Sequence, residues 1–167
     1  MKKTIIILSI IILLLVINKS SNRIPNDSIR FRVIANSNDY NSQEIKKKVV
    51  ENLKSNLENT NKFTNIVETR NYLKENLPLY TNIVDKTLKD NNYNEDFHIN
   101  YGKNYFPEKT YNNEIYPEGE YESLVITLGE GEGDNFWCVL FPPLCFEEKT
   151  DYKYKSFIKE IIDKICE

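Results

Sequence analysis

Between Leu128 and Phe146 the chain reads Leu-Gly-Glu-Gly-Glu-Gly-Asp-Asn-Phe-Trp-Cys-Val-Leu-Phe-Pro-Pro-Leu-Cys-Phe, and no other stretch limits the fold so sharply. It holds three of the five glycines, two of the six prolines, the only tryptophan and two of the three cysteines, so its backbone must turn tightly at both ends. Glycines reach backbone conformations closed to other residues. The apolar run Phe136 to Phe141 reads as a strand, and Pro142-Pro143 stops it, because proline brings no amide hydrogen to a ladder. A dinucleotide-type phosphate loop needs a helix after its glycines, and here a strand follows. Glu130, Glu132 and Asp134 do not fall in the order of an EF-hand loop. The segment therefore reads as a connection between strands, with no metal.

The rest of the chain supplies the partners of that strand. Ser28 to Ala35 alternates, with Ile29, Phe31, Val33 and Ala35 on one face and Arg30 and Arg32 on the other, which predicts a half-buried strand. Asn41-x-x-Glu44 has capping-box spacing and predicts the start of a helix whose Ile45, Val49, Leu53 and Leu57 share a stripe. Asn65-x-x-Glu68 predicts a second helix, which Pro78 breaks or kinks before the stripe continues through Leu79, Ile83, Val84 and Leu88. The pattern then turns to β. Glu95 to Tyr101 and Glu120 to Leu128 read as strands, with turns at Tyr105-Phe106-Pro107 and Tyr116-Pro117-Glu118-Gly119 around a short aromatic strand. Thr150 is the expected cap of a final helix with Tyr154, Phe157, Ile158, Ile161, Ile162 and Ile165 inward. The short glycine link makes the strands on its two sides antiparallel. The expected fold class is α+β, a single domain in which helices pack on one face of a mostly antiparallel sheet.

At the start, Lys2 and Lys3 precede an apolar run from Ile5 to Ile17 broken only by Ser9. Its length suits a signal-peptide core and falls short of the roughly 20 residues of a spanning helix. Lys19 interrupts the small-x-small pattern of a cleavage site, so two readings stand: a cleaved signal peptide, or a retained N-terminal anchor. The expected organisation is a signal or anchor helix over 1–21, a linker over 22–27 and an extracytoplasmic domain over 28–167. Twenty-two basic against 25 acidic residues give a net charge of −3. Loss of Lys2 and Lys3 on export makes the remainder more acidic, which argues against nucleic acid as a partner. Lys46-Lys47-Lys48 reads as a solvated helix face.

Candidate chemistry is sparse. Cys138 and Cys145 flank the prolines and are either a disulfide, as an exported chain permits, or two small buried hydrophobes. Cys166 is left over. His98 is the only histidine. A Cys–His nucleophile pair is arithmetically available. However, His98 alternates with Phe97 and Ile99, the pattern of a half-exposed sheet residue. No Gly-x-Ser-x-Gly, no His-Glu-x-x-His and no second histidine for a metal triad occurs. No catalytic residue, metal ligand or cofactor is assigned, and the chain reads as a non-enzyme. The aromatics near rigid turns, Tyr105, Phe106, Tyr111, Tyr116, Tyr121, Phe136 and Trp137, suit interface anchors or core filling.

Three blocks resemble the stage II sporulation protein R family. The first is Ile29-Arg30-Phe-Arg-Val-Ile-Ala-Asn36-Ser37, followed by Gln43, Lys46, Lys48 and Val49. The second is Tyr105-Phe106-Pro107-x-Lys109-Thr110-Tyr111 with Pro117-x-Gly119-Glu120-Tyr121-Glu122. The third is Gly129-Glu130-Gly131 with Trp137 through Phe146. The chain departs from the family where Arg32 replaces a frequent histidine, Asn38 an aspartate, Val50 an arginine, Glu132 a basic residue, and Phe136 the first of a tryptophan pair. The resemblance implies a protein made in the forespore and exported across its membrane into the intermembrane space, secreted or held by its N-terminal segment. Its implied partner is the extracytoplasmic part of a membrane-embedded aspartic protease of the mother cell, which processes the sigma-E precursor. Arg30, Asn36, Glu130 and Trp137 are the candidate contact residues. The alternative is a secreted cysteine-dependent hydrolase acting on cell wall or peptide bonds.

Overall fold

The computed structural model describes residues 27–111 and 114–144. The expected signal or anchor helix, the linker up to Asn26, Cys145, Cys166 and the expected final helix lie outside the described residues. No described helix is long and apolar enough to cross a membrane.

The chain opens with β1 (Ile29–Ile34) and α1 (Tyr40–Leu57), followed by a 3-10 turn at Glu58–Lys62. Next come α2 (Ile66–Glu75) and α3 (Leu77–Asp90). Five more strands follow among the described residues: β2 (Phe97–Phe106), β3 (Lys109–Tyr111), β4 (Glu114–Tyr116), β5 (Gly119–Leu128) and β6 (Asn135–Phe141). β3 and β4 pair as a separate two-stranded ribbon, and the main sheet has the order β2-β5-β1-β6. Only the β1–β5 pair is parallel. The α+β class with a mostly antiparallel sheet is the one expected.

One face of the sheet carries the main core. Ile29, Phe31 and Val33 of β1 and Leu124, Ile126 and Leu128 of β5 lie in one cluster with Ile45, Val49, Leu53 and Leu57 of α1. Leu73 of α2 and Tyr80, Val84 and Leu88 of α3 complete it. Each fully buried aliphatic side chain of this kind contributes about 1.5–3 kcal/mol by leaving water. The stripes read at helical spacing are thus the faces turned to the core, except that Leu79 is 40% exposed and stands outside it. A forked ion pair locks α2 to β5: Arg70 Nε and Nη2 donate to Glu122 Oε1 and Oε2 at 2.7 and 2.8 Å.

Several boundaries differ from the sequence expectation. Helix α1 begins at Tyr40, and its cap is Asp39 rather than Asn41: the Asp39 carboxylate accepts from the Ser42 amide at 3.0 Å and from the Ser42 hydroxyl at 2.6 Å. A carboxylate that collects several such bonds titrates well below the usual range. Asn65 caps α2 as expected, accepting from the Glu68 amide. Pro78 breaks the helix rather than kinking it, and it sits in the first turn of α3, where its missing amide hydrogen costs nothing. β2 continues through Tyr105 and Phe106, so the turn falls at Pro107-Glu108. β5 and β6 run antiparallel, as the short link requires, but they are not neighbours. β1 lies between them.

Candidate functional site

Because β1 separates β5 from β6, the glycine loop must step across the end of β1, and this crossing explains its composition. Gly129 and Gly131 have φ of 54° and 69°, left-handed values that glycine adopts without strain. A side chain on Gly133 would overlap the Ser37 carbonyl. Close approach allows the loop to be stapled to the β1–α1 segment. Glu132 and Gly133 amides donate to the Asn36 and Ala35 carbonyls, both at 2.9 Å. The Glu130 amide donates to Asn36 Oδ1 at 2.8 Å, and the Asp134 amide donates to Asn38 Oδ1 at 2.7 Å. Behind them, Lys46 Nζ donates to the Asp134 carbonyl at 2.8 Å and to Gln43 Oε1 at 2.6 Å. Burial lowers the pKa of this lysine, and the nearby Asp134 charge partly opposes that. Lys46 is therefore a buried staple, not part of the solvated face that its triplet suggested.

The loop delivers β6, and β6 completes the sheet face turned away from the described helices. Register places Arg32 between Val125 and Trp137, and Arg30 between Ser123 and Val139. Phe106, Tyr121 and Val125 form a second small core there, with Ile34 and Trp137 packed against it. The Phe106 ring meets Tyr121 and Trp137 edge-on, with centroids 6.2 and 5.3 Å away. Cations fill the spaces between rings. The Arg30 guanidinium lies 3.2 Å from the Tyr121 centroid and 5.4 Å from that of Phe106. Arg32 lies 4.9 Å from Phe106 and 5.2 Å from Trp137, and Lys109 Nζ is 5.7 Å from the indole. Each such contact is worth about 0.5–2 kcal/mol, more as water is excluded. Burial lowers the pKa of Arg32, which nonetheless stays charged.

The four candidate contacts therefore fall into two pairs. Asn36 and Glu130 meet at the glycine loop, where the Asn36 carboxamide oxygen is taken by a backbone amide and the Glu130 side chain is exposed. Arg30 and Trp137 share the aromatic face, but Arg30 is only 3% exposed and Trp137 is half-buried. Among the other aromatics, Tyr105 is 57% exposed, whereas Phe106 and Tyr121 are core. Arg32 and Lys109 were not among the sequence candidates. The alternation that put Arg30 outward puts Arg32 there too, whereas nothing in the sequence brings Lys109 to Trp137.

His98 and Cys138 do not form a catalytic pair. They lie on β2 and β6, the two opposite edges of the sheet. His98 shares its register with Thr127, while Cys138 sits beside Phe31 on the helix side and is in a disulfide. Among the described residues no group of His, Cys, Asp or Glu could hold a metal ion. After Pro142-Pro143 the Leu144 amide donates to the Val139 carbonyl at 3.3 Å, so the chain doubles back beside β6 just before Cys145.

Comparison with known proteins agrees with the resemblance read from the sequence. The family model for stage II sporulation protein R matches residues 25–151. Stage II sporulation protein R of Bacillus subtilis (strain 168) is 37% identical over 179 aligned positions, which take in 98% of this chain and 79% of that protein. No solved structure matches. The matched span contains the whole sheet, the glycine loop with its staple and the aromatic–cation face, and the chain belongs to the stage II sporulation protein R family, with a role in sporulation.

Proposed function

We propose that this chain is a secreted intercompartmental signal of endospore formation. It leaves the forespore, enters the intermembrane space and activates the mother-cell membrane aspartic protease that processes the sigma-E precursor. The observation that carries this reading is the family match along nearly the whole chain. An apolar N-terminal run behind two lysines fits export, and the half-buried Trp137, edged by Arg32 and Lys109, fits a surface that binds protein. The protein acts as a ligand: it shifts the protease toward its active state by binding that state more tightly. Trp137 and the Glu130 turn are the contacts, and Arg30 and Asn36 hold them in place. No observation favours the cysteine hydrolase, because its thiol at Cys138 is already oxidised and its base lies across the sheet.

The test uses vegetative cells that carry only the membrane protease, the tagged sigma-factor precursor and this protein, with or without residues 1–21. Shortening of the precursor on an immunoblot is expected only with the exported form. Conversion by both forms, or by neither, would refute a ligand acting from outside.

A further inference from the structure

We propose that the helix-free face contains a carboxylate-recognition site built on Arg32, Trp137 and Lys109, whose occupant is an acidic side chain of the protein partner. The inference rests on the reading that this chain acts by binding a partner.

Two arginines show the contrast. Arg70 has both oxygens of Glu122, the fork that suits a guanidinium best. Arg32 has rings on two sides and one long contact, from Nη1 to the Tyr105 carbonyl at 3.5 Å. Its Nε is buried and has no acceptor, and no ion pair among the described residues includes it. A guanidinium held half out of water is costly unless hydrogen bonds replace the lost hydration, and aromatic faces supply no acceptor of that strength. Arg32 as a whole is half-buried, and a partner carboxylate at the solvent-facing part of its guanidinium, rather than at the buried Nε, supplies such an acceptor.

The surroundings fit the same occupant. A concavity of about 340 Å³, lined by Lys109, Gly133, Asp134, Asn135 and Trp137, adjoins Arg32 through the Trp137 ring that the two share; Arg32 itself is not a lining residue. That volume admits one side chain with part of its backbone. Lys109 contributes a second cation, its Nζ 5.7 Å from the indole centroid. Asn135, another lining residue, has its Oδ1 buried without a donor. The carboxylate already present, Asp134, makes no ion pair with Arg32, and Lys46 donates to its backbone carbonyl at 2.8 Å. Trp137 would cover the methylenes of the bound acid while Arg32 takes its oxygens.

Trp137 is the only tryptophan, so its fluorescence reports this face alone. The full-length chain is titrated with the purified extracytoplasmic part of the membrane protease. The expected result is binding that changes the emission, weakens as salt rises, and falls about ten-fold or more in Arg32→Gln. Arg32→Lys keeps charge and bulk and retains part of the affinity, and Lys86→Gln on α3 makes the same charge change elsewhere without effect. If Arg32→Gln fails to fold, Lys109→Gln carries the test with a smaller expected loss. Charge reversal gives the second arm: Arg32→Glu abolishes binding, and one Asp or Glu to Lys change in the partner restores it. Equal affinity for the wild type and Arg32→Gln overturns this inference and leaves the signalling reading standing, as does failure of every partner acid-to-lysine change to rescue Arg32→Glu. A wild-type chain that does not bind at all overturns both.

Discussion

Replacing Gly133 with alanine tests whether the β5–β6 loop is shaped by close approach rather than by flexibility. Gly133 does not use a left-handed conformation, so the change introduces no backbone strain of its own. The new methyl group would overlap the Ser37 carbonyl and press on the Ala35 side chain. A carbonyl cannot rotate aside as a flexible side chain can, so the loop itself must move outward. That movement breaks the 2.9 Å bonds from the Gly133 and Glu132 amides to the Ala35 and Asn36 carbonyls. Two backbone hydrogen bonds at about 1 kcal/mol each, together with the overpacking, give an expected loss of about 2–4 kcal/mol. Gly102→Ala is the matched control. A methyl group there meets only the Asn100 Oδ1, at 3.9 Å, and lies in a strand where lost chain entropy favours alanine. It should be neutral or stabilising by up to about 1 kcal/mol. Urea titration of the two variants, followed by the single tryptophan, measures both. A Gly133→Ala loss below about 0.5 kcal/mol, or equal effects at the two glycines, would refute the claim that contact with the β1–α1 segment dictates glycine here.

Two further perturbations probe the frame that carries the site. The Arg70–Glu122 fork is 31% and 22% exposed at its two side chains, so a double-mutant cycle with Arg70→Met and Glu122→Gln should give a coupling of about 1 kcal/mol, above an exposed pair and below a buried one. Arg70 first, then the Tyr101 hydroxyl at 2.9 Å, hold the Glu122 pKa below 4.5 against the opposing effect of burial, so this stabilisation is complete above that ordinary value and is lost as pH falls through the lower folded one; acid unfolding curves of the wild type and Glu122→Gln should converge there, and a constant gap would refute the assignment. If Cys138 is bridged to Cys145, non-reducing peptide mapping should recover the two in one linked fragment, and Cys138→Ser should lower stability by about 2–3 kcal/mol, as expected for a short closed loop; a link from Cys138 to Cys166 would sink that pairing.

Local signals carried much of the fold. Asn65 caps a helix in the position its spacing predicted, because a carboxamide directly before the first apolar residue of a helix can accept from the amide three residues on. Asn41 had the same spacing and failed, because Asp39, two residues earlier, offers a charged acceptor that also takes the Ser42 hydroxyl. Two caps within reach compete, and the spacing rule does not rank them. Sheet order was the larger miss. A six-residue link between two apolar strands looks like a hairpin, and only the insertion of β1 makes it a crossing. That insertion depends on parallel pairing between β1 and β5, strands nearly 90 residues apart, which leaves no mark in either local pattern.

The site shows the same division between what is local and what is not. The alternation of β1 was enough to put Arg30 and Arg32 on one face, but it could not tell which of them is covered. The difference lies in their neighbours across the sheet: Tyr121 comes within 3.2 Å of Arg30, whereas Arg32 faces Phe106 and Trp137 at about 5 Å. Asn36 is likewise a candidate contact, named alongside the family resemblance. Its carboxamide instead receives the Glu130 amide from a loop 94 positions away. Its role follows from the strand order, since a loop that crosses the end of β1 needs an acceptor where β1 ends. The glycines, Asn36, Asn38, Gln43 and Lys46 are thus one device read from two distant parts of the chain. They fix where β6 enters the sheet, and with it where Trp137 stands against Arg32. On the proposed function, a change at Gln43 or Lys46 should therefore alter binding through Trp137 although neither residue is one of the proposed contacts.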